Sequence, residues 1–61
     1  MIRIDPTLNE LEVLVVAEHL KNKGVESYTL TQGNECIWAY YGQINEYYIF
    51  REGRLVDVQI D

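Results

Sequence analysis

One cysteine, one histidine, one proline, one tryptophan and one phenylalanine in 61 residues close off several ways of making a small protein stable. A lone Cys36 excludes an internal disulfide. With His19 as the single imidazole, no Cys/His set has the spacing of a structural zinc site. Basic residues are scarce as well, five against ten acids, for a formal charge of −5. Phosphate neutralisation requires clustered Lys and Arg, so this balance disfavours nucleic acid and points toward a protein partner with a basic or apolar surface. The longest apolar run, Val13 to Ala17, falls far short of the ~20 residues that cross a bilayer, and no membrane span is expected. The N-terminus has neither the basic nor the apolar region of a secretory signal, and an unpaired Cys suits a reducing compartment; the cytoplasm is the expected location.

A chain of this length is read as a single domain, 1–61, and buries only about 60% of the surface its unfolded form exposes. With disulfide and metal excluded, dense packing or self-association must supply the remaining stability.

Periodicity gives the architecture. Ile2 and Ile4 alternate against Arg3 as a short strand signal. Asp5 and Pro6 offer an N-cap followed by proline at the first helical position, and Thr7 with Glu10 offers a competing capping box. Lys21 and Lys23 suit the negative end of a helix, and Gly24 supplies a left-handed stop, so the helix is placed at 6–23. On its wheel Leu8, Leu11 and Val15 form one stripe, while Val13, Val16 and Leu20 form another on the opposite side. Such an arc is wider than one sheet face can cover, which suggests association. Beyond Val25, β-branched and aromatic residues alternate between turns, giving strands at about 25–31, 36–41, 44–51 and 54–60. The expected fold is α+β, one N-terminal helix packed on a four-stranded antiparallel meander, with a short strand before it.

Two-residue turns at Gly42–Gln43 and Glu52–Gly53 would pair Trp38 with Tyr47, Phe50 with Leu55, Ile49 with Val56 and Tyr47 with Val58. One face then carries Cys36, Trp38, Tyr40, Tyr47, Ile49, Val56, Val58 and Ile60. Being almost wholly apolar, it is expected to lie under the helix. The other face mixes apolar and charged groups, and Ile37, Tyr41, Glu46, Tyr48, Phe50, Leu55 and Asp57 are its expected partner-binding residues. In the first hairpin a two-residue loop puts Tyr28 and Leu30 on the outer face, whereas a three-residue loop puts them opposite Trp38.

Conventional chemistry is thin. Cys36 among apolar strand residues reads as a small buried hydrophobe rather than a nucleophile for His19. Glu46 and Asp57 read as solvated charges rather than an acid–base pair. Arg51 and Arg54 flank a turn as edge charges, and the glycines of the hairpins open no helix and cradle no phosphate. No cofactor, metal or catalytic residue is expected. The functional expectation is a small acidic, non-enzymatic interaction module that associates with itself as a homodimer or higher oligomer and binds another protein. An inhibitor or regulator of the kind carried by phage and mobile elements fits that description. The alternative is a single-stranded nucleic-acid binder that stacks bases on exposed sheet aromatics.

Overall fold

A computed structural model describes residues 1–61 as an α+β fold: β1 (Ile2–Ile4), α1 (Glu10–Asn22), β2 (Tyr28–Gln32), β3 (Cys36–Tyr41), β4 (Ile44–Arg51) and β5 (Arg54–Ile60). The five strands form one sheet in sequential order. β1 pairs parallel to β2 across the helical crossover, and the remaining pairs are antiparallel. No helix is long and apolar enough to cross a membrane.

The helix begins at Glu10 rather than at residue 6, and hydrogen bonding explains why. The Asp5 carboxylate accepts from the backbone N–H and hydroxyl of Thr7, at 2.9 and 2.8 Å, which closes a local turn around Pro6. That turn drops Leu8 into the core and leaves Asn9 extended. Asn9 Oδ1 then accepts from Leu11 N and Glu12 N and so caps the helix. The C-terminal end is a Schellman motif: Gly24 at φ +80° donates to the Lys21 carbonyl, and Val25 N donates to that of Leu20. This stop holds Lys23, the last half-helical residue, over the sheet.

Val16 and Leu20 are the buried residues of α1, with Val13 packed beside them. Below lie Tyr28, Leu30, Ile37, Ala39 and Tyr48, with Tyr41, Phe50, Leu55 and Val58 at the margins. The helix therefore covers the face expected to be open, and the face expected to form the core is the uncovered one. The first hairpin decides the parity. Its register matches neither alternative, with Gln32 opposite Ile37 and Leu30 opposite Ala39, and Gly33 N donating to the Cys36 carbonyl, but it has the parity of the two-residue loop. β2 therefore puts Tyr28 and Leu30 on the side of Ile37 and Ala39, and Thr29 and Thr31 on the side of Trp38 and Tyr40.

β5 departs from the simple hairpin register. Phe50 faces Leu55 as expected, but the ladder shifts at Ile49/Phe50, so that Asp57 faces Ile49 and Val58 faces Tyr48. The extra residue is a β-bulge. Beyond it the strand is turned over: Val58 points to the helix side, and Asp57 and Gln59 point away. Both tight turns have two residues at positive φ, Gly42 (+51°) with Gln43 (+67°) and Glu52 (+53°) with Gly53 (+78°). They are type I′ turns, whose twist matches that of the flanking strands.

Candidate interaction face

The seven residues expected to bind a partner are dispersed. Ile37, Glu46 and Tyr48 are buried, and Tyr41, Phe50 and Leu55 are half-buried at the core margin. Asp57 alone is exposed, and the bulge has moved it to the opposite face, where it accepts from Val58 N and the Gln59 amide. Glu46 and Asp57 thus lie on different sides of the sheet and cannot act together.

Glu46 is the one buried charged residue, and it organises the core beneath the end of α1. One carboxylate oxygen, Oε1, accepts from the hydroxyls of Tyr48 and Tyr41, at 2.8 and 3.0 Å. The other accepts from Lys23 Nζ in an ion pair. Burial alone would raise the Glu46 pKa, but the three donors outweigh it and hold the carboxyl below its ordinary value. The Lys23 ammonium is held above its ordinary value by that hydrogen bond, despite some desolvation. Tyr48 and Tyr41 are pushed up, chiefly by burial and then by donating to the carboxylate. Every buried side-chain polar atom has a partner. The edge of the His19 ring meets Tyr48 with centroids 5.9 Å apart. The donors and acceptors of the cluster are all satisfied, and His19, against Tyr48, lies on the helix side of the sheet, whereas Cys36 shares the other face with Trp38.

The uncovered face has a different character. Trp38 is 38% and Tyr40 46% exposed, on the central strand of the sheet. Trp38 stacks on its cross-strand partner Tyr47, with ring centroids 6.3 Å apart and planes inclined by 27°. The indole N–H donates to Asn45 Oδ1 at 2.9 Å. Two contacts therefore hold the tryptophan in a fixed orientation without burying it. Ile49 and Cys36, cross-strand partners, extend the apolar surface at one end. The Cys36 thiol is half-buried and its pKa is pushed up by burial; a Cβ at Gly33 would come within 2.6 Å of its sulfur.

Alternation places three of the five basic residues on this same face. Arg3 sits opposite Thr29, which in turn sits opposite Tyr40, and all three line one shallow hollow. Arg51 and Arg54 face each other at the far corner. Asp57 is the single acid among the strand residues of the face, although Glu35 and Glu52 stand in the turns near Arg51. The chain is acidic, but its carboxylates lie mainly on the helix side, at Glu10, Glu12 and Glu18.

No group of three or more His, Cys, Asp or Glu side chains is arranged to hold a metal ion. Comparison with family models, with curated proteins and with solved structures returned no match. The chemistry of the face must carry the functional argument on its own.

Proposed function

We propose that this protein is a non-enzymatic interaction module whose contact surface is the open sheet face centred on Trp38, Tyr40 and Tyr47. The observation that carries the reading is an exposed, pre-oriented Trp38 stacked on Tyr47, with Tyr40 beside it and arginines at two corners. Tryptophan, tyrosine and arginine are the residues in which interface energy concentrates. Rigid aromatics supply contact area at little cost in conformational entropy. The partner is a protein with an apolar surface flanked by carboxylates, complementary to Arg3, Arg51 and Arg54. Occlusion of that surface by a 7.2 kDa domain suits an inhibitor or regulator.

A second reading has a specific observation behind it. The same exposed aromatics, with arginines on the same face, could stack the bases of a single strand, at ~1–3 kcal/mol per base. Against it stand the net charge of −5 and the wide separation of the arginine corners.

Because Trp38 is the only tryptophan, its fluorescence reports from the site itself. Titration with oligo(dT) at physiological salt should leave the emission unchanged. A saturable, salt-sensitive change would establish the second reading instead. A Trp38→Ser/Tyr40→Ser variant, shown by circular dichroism to be folded, should lose the protein partner that the wild type retains from the host. Retention by this variant would rule out the open face as the contact surface.

A further inference from the structure

The side of α1 away from the core carries a second apolar surface, separate from the open sheet face. Leu11 is 74% and Leu14 65% exposed, and Val15 is also exposed. Leu14 lies between two hollows that reach β1, one lined by Ile4 and one by Ile2. Both isoleucines point to the helix side of the sheet, yet both remain exposed. The helix does not extend over β1, and an apolar groove is left between them.

We propose that this surface is the isologous interface of a homodimer in which the two α1 helices cross antiparallel. The charges that flank the patch select both the occupant and its direction. On a wheel of about 100° per residue, Glu10 and Lys21 fall on one flank of the Leu11–Leu14–Val15 stripe. Glu12 and His19 fall on the other. The two pairs share one axial midpoint, between Val15 and Val16. A two-fold axis through that level, perpendicular to the helices, sets Glu10 of each copy beside Lys21 of the other, and Glu12 beside His19. A two-fold axis parallel to the helices would instead set Glu10 against Glu12, which repels, and leave Lys21 beside His19 with no acid to pair with. Only the antiparallel arrangement is self-complementary. It also opposes the two helix dipoles, and it sets Glu18, which lies on the line of the stripe one turn beyond Leu14, over the positive N-terminal half of the partner helix.

Size is compatible with this arrangement. A standard interface takes about 800 Å² from each partner, less than a fifth of the 4529 Å² surface of one chain. Such a dimer points its two open sheet faces in opposite directions. It stands on observations independent of the proposed function of those faces.

Sedimentation equilibrium at micromolar concentration tests it, and the expected mass is twice 7.2 kDa. Leu14→Glu, at an exposed position, should raise the dimer dissociation constant about 30-fold while leaving the circular dichroism spectrum unchanged; Leu11→Glu serves as a second variant. Trp38→Ser/Tyr40→Ser should stay dimeric. Glu10→Lys or Lys21→Glu alone should weaken the dimer about fivefold, and the two together should restore it. A monomeric wild type, or a dimer indifferent to both leucine substitutions, would overturn the interface. Failure of the double swap to recover would overturn the antiparallel geometry, and an open-ended series of oligomers would show helix-to-sheet contacts instead.

Discussion

Removing the Glu46 carboxylate should cost this protein a large share of its stability. Typical domains have 0.05–0.15 kcal/mol per residue, or about 3–9 kcal/mol for a chain of this length. In Glu46→Ala three donors lose their acceptor, but they do not suffer equally. The Lys23 side chain is 40% exposed and can turn its ammonium to water, and the half-buried Tyr41 can reach solvent. Tyr48 cannot, being fully buried. Its orphaned hydroxyl costs roughly 1–3 kcal/mol, and the space left by the carboxylate adds to that, for a loss of about 3 kcal/mol. Glu46→Gln keeps an oxygen for the tyrosines but replaces the ion pair with an amide N–H facing the Lys23 ammonium, at about 2 kcal/mol. Tyr48→Phe removes one donor from an acceptor that keeps two others, at about 1 kcal/mol. At ~4–8 °C per kcal/mol for a domain of this size, the three variants separate clearly in a thermal melt followed by circular dichroism. Urea titration gives the free energies. If Glu46→Ala lies within about 0.5 kcal/mol of wild type, the range of unremarkable surface changes, the carboxylate is not the centre of the core and the reasoning fails.

Other perturbations probe the same account. Truncation should discriminate the two faces: Tyr48→Ala should cost ~3–5 kcal/mol and leave little folded protein, whereas Trp38→Ala should cost about 1 kcal/mol, mainly its stacking on Tyr47; equal losses in urea titrations would contradict the assignment of faces. Gln43→Gly should stabilise by about 0.5–1 kcal/mol, because a left-handed φ is unfavourable for a residue with a Cβ, and a lower urea midpoint would show that the Gln43 side chain contributes contacts. Stability should fall at both ends of the pH scale. The folded Glu46 pKa lies below its ordinary 4.5, so the unfolded chain binds more protons there; this contribution is complete above about pH 4.5 and is lost as pH falls through the folded value. Tyr48 and Tyr41 lie above their ordinary 10.0, so their contribution is complete below pH 10 and declines as pH rises further. In Glu46→Gln, urea midpoints measured against pH should lose most of the acid limb; an unchanged limb would assign it to other carboxyls.

Local signals in the sequence carried the elements further than they carried the faces. The helix stop at Gly24, the two tight turns and the Trp38–Tyr47 and Phe50–Leu55 pairs could be read from turn chemistry and period-2 spacing. So could the two helix stripes, of which Val13, Val16 and Leu20 turned inward. The helix start was misread because Asp5 and Asn9 are both competent caps, and the carboxylate of Asp5 is consumed by Thr7. Choosing the core face failed for a different reason. The face with Trp38 looked more apolar only because the bulge in β5, silent in the sequence, exchanges Val58 and Ile60 for Asp57 and Gln59. A usable signal was present in β2, where Tyr28–Thr29–Leu30–Thr31 alternates cleanly and Ala39 offers a small residue for close helix approach. It required the first hairpin's register, which the sequence left open. Glu46 was misplaced with that face: a carboxylate reads as solvent-facing until Lys23, Tyr41 and Tyr48 are seen to converge on it.

Acrylamide quenching of Trp38 tests most directly whether the open sheet face is the contact surface. In the free protein the account predicts ready quenching that does not change with protein concentration, since association through α1 leaves this face uncovered. Addition of the bound protein partner should then suppress the quenching. A native Trp38 as protected as a core residue, or one equally accessible with the partner bound, would contradict the account.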